Sequence, residues 1–242
     1  MIELSLPAQP PRYTQDEHAV WSTLYGRRLE ELAGTGSSRF LSGLDAIGLS
    51  ADRVPDLADV NRRLAPLTGW RAVPVAGFLP SGDFFTMLAR RDFPTTVTVR
   101  PRDRLEYVAA PDIFHDVFGH VPLHADPVFA GYLQHFGAVA AAATDAGSLE
   151  RLTRLFWFTV EFGLIRERGR LRVYGSGLIS SSADAANALG PACERRPFAL
   201  DEVMATPFAI DRLQPVLYVI DSFEQLFRAF AMALPVPAGD RG

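Results

Sequence analysis

Residues 111–124 read PDIFHDVFGHVPLH and carry three of the chain's five histidines, His115, His120 and His124, among Phe, Val, Ile and Leu. Pro111 suits the first turn of a helix, and Asp112 adds a carboxylate where the helix dipole favours one. Gly119 and Pro122 predict that this helix ends near His120. On a straight α-helix five residues rotate by about 500°, leaving His115 and His120 roughly 140° apart around the axis. Fraying at Gly119 lets His120 turn back toward whatever His115 holds, so the spacing permits a shared metal without requiring one. Pro122 blocks a regular helix between His120 and His124. His124 lies in the more polar LHADP, which reads as a loop that leaves it a bystander at the rim. His135 in GYLQHFG and His18 beside Asp16 and Glu17 read as surface or structural histidines.

A histidine pair needs further ligands. In LFWFTVEFGLI (155–165) a single glutamate, Glu161, interrupts otherwise apolar or weakly polar residues. An isolated carboxylate in such a run costs several kcal/mol to bury or shifts its pKa upward, so it needs a partner. One reading is an ion pair with an arginine; the other is a metal. Two neutral imidazoles and one carboxylate on one face of a metal, with the other positions open, is the arrangement of non-haem Fe(II) oxygenases. The residue pattern alone leaves both readings standing.

The totals narrow the classes. The chain has 242 residues, 48% hydrophobic and 21% charged, which is an ordinary globular composition with room for one sizeable domain. A net charge of −4 offers no basic footprint for nucleic acid or an anionic membrane. No run approaches 18 apolar residues, and MIELSLPAQP lacks the parts of a signal peptide, so a cytoplasmic compartment is expected. The one cysteine, Cys193, excludes an intramolecular disulfide and a thiolate metal cluster. All 24 basic residues are arginine. With no lysine, Schiff-base chemistry, pyridoxal-phosphate chemistry and a Walker phosphate loop are removed outright.

Thr14 followed by Glu17 has capping-box spacing ahead of a helix over about 15–33. Helical patterns recur at SRFLSGLDAIG, at PDLADVNRRLAPLTG (Pro55 in the first turn, Gly69 as the stop) and at GDFFTMLARRDF. Further helices are expected over 111–119, 127–145, 148–168 and 222–232. TTVTVR (95–100), LRVYG (171–175) and PVLYVID (215–221) read as strands. These are too few and too scattered for a doubly wound sheet. The expectation is a mainly α fold with a small β portion in a single domain, with an extended arm over 1–13, the domain over 14–232 and a tail over 233–242.

PDIFHDVFGHVPL, FWFTVEFGLI and YGSGLISS, in this order and spacing, resemble the pterin-dependent aromatic amino acid hydroxylases. The pattern is most like that of the bacterial phenylalanine 4-monooxygenases and runs from about Tyr13 to Phe230. The resemblance implies the catalytic-domain fold of that family, without the regulatory and tetramerisation segments of animal members, and hence a monomer. It implies an oxidoreductase that hydroxylates the ring of L-phenylalanine to give L-tyrosine, using Fe(II), tetrahydrobiopterin or a related tetrahydropterin, and O2 as co-substrate. Carried over position by position, His115, His120 and Glu161 are the iron ligands and catalytic residues. Phe84 stacks on the pterin, Gly77 and Leu79 line it, and Asp116 is an acidic group near it. Arg100 grips the substrate carboxylate, Ser180 supports the same carboxylate, and Trp157 and Pro111 wall the ring pocket. Gly175 and Gly177 read as a turn rather than a phosphate loop.

Several positions depart from the family pattern. Ala110 replaces a usual glutamate, Val108 a threonine of animal enzymes, Pro94 a pterin-contacting histidine and Phe156 a tyrosine near the iron. Ile210 falls where tyrosine hydroxylases carry an aspartate, which favours phenylalanine as substrate. A phenylalanine 3-hydroxylase forming meta-tyrosine and a tryptophan hydroxylase are the alternatives within the family. Outside it, a zinc hydrolase using His115, His120 and His124 predicts an HExxH helix, whereas this chain has Asp116 and a five-residue histidine spacing. A metal-free helical interaction module leaves Glu161 unexplained.

Overall fold

The computed structural model describes residues 11–77, 79–106 and 111–236. Positions 1–10 of the expected arm, Val108 and Ala110, and residues 237–242 of the expected tail lie outside them. The fold is mainly α with two small sheets.

Helix α1 (Gln15–Leu32) begins at the expected capping box, with the Thr14 hydroxyl accepting from the Glu17 amide and the Glu17 carboxylate accepting from Thr14. After α2 (Ser38–Ile47) and α3 (Leu57–Thr68) come β1 (Arg71–Val75), α4 (Ser81–Ala89) and β2 (Asp92–Thr96). The two strands pair in parallel, with Arg71 opposite Asp92 and Val75 opposite Thr96. The strand expected at 95–100 therefore lies earlier in the chain. Alternation in TTVTVR marked β-prone residues, but the ladder stops where β1 stops, and residues 97–100 run on without a partner strand.

Residues 111–125 form no α-helix. Phe114–His120 is a π-helix and Val121–Ala125 a 3-10 turn that takes Pro122 into its first turn. Helices α5 (Pro127–Ala141) and α6 (Ala146–Phe156) follow. The helix expected over 148–168 ends earlier, in a second π-helical segment at Trp157–Glu161. The chain then turns into β3 (Leu164–Glu167), which forms a hairpin with β4 (Arg170–Val173). Next are α7 (Ser176–Ser180), α8 (Ser182–Leu189), β5 (Glu194–Pro197), α9 (Leu200–Ala205), β6 (Val216–Ile220) and α10 (Phe223–Ala233). The second sheet has the order β4-β3-β6-β5, with β6 parallel to both of its neighbours. Short elements such as β1, β5, α7 and α9 lack enough residues to show a period, so pattern reading missed them.

The core explains why the first π-helix sits where it does. Phe114 and Phe118 stack on one another at 4.7 Å and face outward from the site, Phe114 against Trp21, and Phe118 against Tyr25 of α1 and Phe40 of α2. All five rings are buried. These contacts bolt one face of FHDVFGH to α1 and α2 and leave the opposite face to the cavity. No helix among the described residues is long and apolar enough to cross a membrane.

Candidate active site

The π-helix resolves the awkward histidine spacing. Its hydrogen bonds join residues five apart, so His115 and His120 return to the same side without any fraying at Gly119. Their Nε2 atoms lie 3.2 Å apart. Glu161, at the end of the second π-helical segment, places Oε1 3.1 Å from His120 Nε2 and Oε2 3.6 Å from His115 Nε2. These three residues offer ligand atoms within 4.8 Å of one another.

The donor set suits a divalent cation. Burial pushes the Glu161 carboxyl up, but His120, then His115 and the Ser176 hydroxyl, outweigh it and hold the group at about 2. Its described neighbours at ion-pair distance are the two imidazoles, with no arginine among them. The ion-pair reading of Glu161 is thereby set aside. Ser180 Oγ lies 2.9 Å from His115 Nδ1; when the imidazole donates to the hydroxyl, the inward Nε2 is left as a lone pair. Two inward imidazole nitrogens and a carboxylate with no cationic side chain between them are satisfied together by one metal ion.

The three residues form one end of a cavity of about 280 Å³. Its lining includes Gly77, Leu79, Phe84, Pro94, Pro111 and Asp116, six positions marked in the sequence. Phe84 is part-buried and held edge-on by Phe85 and by Phe156, at 5.5 and 5.6 Å. Phe156, lacking the tyrosine hydroxyl, thus acts as apolar support behind Phe84. The buried Asp116 accepts from the Thr96 amide at 2.7 Å, and burial raises its carboxyl despite the opposing imidazoles.

Arg100, Ser180 and Trp157 lie outside that lining. Arg100 is buried and paired with Asp112, its Nε and Nη2 donating to the two carboxylate oxygens at 2.8 Å each, while Nη1 donates to Leu105 O. Among the described residues, three of the five guanidinium N–H groups are thus occupied. Asp112 also accepts from the His115 amide, so the residue expected only to favour the helix dipole joins Arg100 to the first histidine. Trp157 stacks between Phe162 and Phe208, and its buried indole N–H has no partner among the described residues. Ile210, used to argue for phenylalanine, is 77% exposed and outside the cavity lining.

His124 is the clearest correction. It is buried rather than at a polar rim, packed against Trp70, Phe93 and Phe129, with Nδ1 2.9 Å from the carbonyl oxygen of His120. Burial, then the neighbouring His120, pull it down to about 3, so it is a neutral core residue. His124→Ala should cost about 2–5 kcal/mol through the cavity it leaves. Bound iron per folded chain should stay unchanged, and calorimetry with metal analysis checks the pair. His18 Nδ1 accepts from the Val54 amide and His135 Nε2 meets Leu234 O, so both are structural.

The sequence reading missed Asp112 as the partner of Arg100 and Ser176 as a donor to Glu161 at 2.7 Å. The signals available were a carboxylate next to an apolar run and a serine between two glycines. Neither carries a period.

The biopterin-dependent aromatic amino acid hydroxylase family model matches residues 7–237. The phenylalanine-4-hydroxylase of Chromobacterium violaceum is 44% identical over 230 residues, 95% of this chain and 77% of that protein. That of Ralstonia nicotianae is 46% identical over 219 residues, 90% of this chain and 70% of that protein. A crystal structure of the Chromobacterium enzyme with iron(III) and 7,8-dihydrobiopterin superposes with a TM-score of 0.90 at 43% identity, covering 94% of this chain and 84% of that one. The matched span includes the paired π-helical segments and the cavity they close, and this chain belongs to the biopterin-dependent aromatic amino acid hydroxylases.

Proposed function

We propose that the protein hydroxylates the ring of L-phenylalanine to give L-tyrosine, with non-haem Fe(II), a tetrahydropterin and O2. The observation that carries the proposal is the cluster of His115, His120 and Glu161 at one end of a cavity whose lining includes Phe84. That set supplies three ligands and leaves the remaining positions open.

In this reading His115, His120 and Glu161 would hold the iron, the two histidines through the Nε2 atoms that face the carboxylate. Phe84 offers its face to the flat pterin by offset stacking, with Gly77 and Leu79 along its edge and Asp116 as a polar contact. Arg100, anchored by Asp112, offers its guanidinium to the substrate carboxylate, and a bidentate contact would orient the amino acid as well as hold it. Ser180 steadies His115 and, as a second role, the same carboxylate. Pro111 and Trp157 wall the ring. Iron and pterin supply the activation of O2; the chain binds, orients and excludes water. Residues 14–232 act as one catalytic domain, and the protein is a cytoplasmic monomer.

Fe(II)-loaded protein given tetrahydropterin, O2 and L-phenylalanine should form para-tyrosine, separated chromatographically from meta-tyrosine. Meta-tyrosine as the main product would transfer the assignment to a 3-hydroxylase. Light scattering of the same preparation should give one chain per particle.

A further inference from the structure

We propose that Ser176 is a positioning residue that holds one oxygen of Glu161 away from the metal, so that the carboxylate meets the ion through the other. The inference rests on the metal-site reading above and goes beyond it, since it concerns how many positions around the ion stay open.

The two oxygens of Glu161 have different surroundings. Oε1 lies 3.1 Å from His120 Nε2, whereas Oε2 stands 3.6 Å from His115 Nε2 and accepts from Ser176 Oγ at 2.7 Å. The serine has one proton and two acceptors in reach, the second being the carbonyl of Val160 at 3.3 Å. The shorter contact goes to the charged group, where a hydrogen bond is stronger. Ser176 is 1% exposed, so no solvent replaces that donor.

The backbone around Ser176 is shaped for this contact. A Cβ at Gly175 would collide with the Gly163 amide and the Glu161 carbonyl, and one at Gly119 would stand 3.1 Å from the Ser176 carbonyl oxygen. Glycine at these places lets α7 press against both π-helical segments at once. The same five-residue helix presents Ser180 to His115 Nδ1, so α7 orients two of the three ligands. Its own placement is set by the buried Arg28 of α1, which donates to the carbonyl oxygens of Leu178 and Ile179 at 2.9 and 2.8 Å. The reading of YGSGL as a turn is replaced by a close-packed helix start.

Denticity matters because a second carboxylate oxygen on the ion would take a position that a single-atom contact would leave open to other ligands. Swinging Oε2 onto the ion requires breaking the Ser176 contact.

Crystal structures of wild type and Ser176→Ala loaded with cobalt(II), an oxygen-stable stand-in for Fe(II), test this directly. The wild type should show one Glu161 oxygen at bonding distance, and Ser176→Ala both. With Fe(II), the variant should form several-fold less tyrosine per tetrahydropterin oxidised. Two bound oxygens in the wild type, or one in both proteins with an unchanged product-to-pterin ratio, would overturn the proposal. A purely structural role would lower the melting temperature and leave both readouts unmoved. A wild type that takes up no metal overturns the metal site itself, and the role of Ser176 with it.

Discussion

Glu161→Ala is expected to remove iron binding and hydroxylation together while the metal-free fold survives. Glu161 is the one acidic group in the proposed ligand set, with Oε1 3.1 Å from His120 Nε2 and Oε2 3.6 Å from His115 Nε2. Loss of a group that merely supports a metal ligand typically costs roughly 10–100-fold in affinity or activity, and loss of a ligand itself should exceed that. Stability should respond differently. The carboxylate is desolvated, and its compensation comes from His120, His115 and Ser176, not from a basic side chain. Removing it deletes a buried charge along with its partners' contacts, so the apo protein should melt within a few degrees of wild type. Colorimetric iron analysis, turnover and calorimetry on one preparation separate these effects. Retention of stoichiometric iron by the variant would exclude Glu161 as a ligand.

Arg100→Ala should lose both stability and substrate affinity, and a second substitution should separate the two. Arg100 and Asp112 are both buried and joined by two 2.8 Å hydrogen bonds. Breaking a buried pair from one side strands the other charge and costs about 3–5 kcal/mol. Asp112→Asn added to Arg100→Ala removes that stranded charge and should recover part of the loss. Binding of phenylalanine should not recover, because the guanidinium proposed to hold the carboxylate goes with Arg100. The expected pattern is a partly restored melting temperature with KM still raised at least tenfold. A double variant with wild-type KM would show that Arg100 serves only to hold Asp112.

Much of the site was legible in the residues. FHDVFGH and a lone glutamate in an aromatic run identify the ligand types, and their family resemblance extends along nearly the whole chain. The long helices α1, α2, α3, α5 and α10 also read correctly, because capping residues and a 3.6-residue apolar period are local signals. Two details were not legible. The helical period predicted His115 and His120 about 140° apart. The π-helix places them together, and its register is imposed by Phe114 and Phe118 packing against α1 and α2. His124 looked polar by its neighbours in the chain, yet it is buried by Trp70 and Phe93, which are distant in sequence.

The amino-acid order by itself determined which atoms are available: two imidazoles, one carboxylate, an aromatic face for a flat ring, and arginine as the only cationic side chain. Tertiary structure alone decided how those atoms are aimed. The contacts that aim them join Arg100 to Asp112, Ser180 to His115 and Ser176 to Glu161 across 12, 65 and 15 positions. A serine hydroxyl or a buried ion pair leaves no periodic trace along a chain. Its partner is set only when separate segments pack to exclude water, and that exclusion is what makes each contact strong enough to orient a ligand.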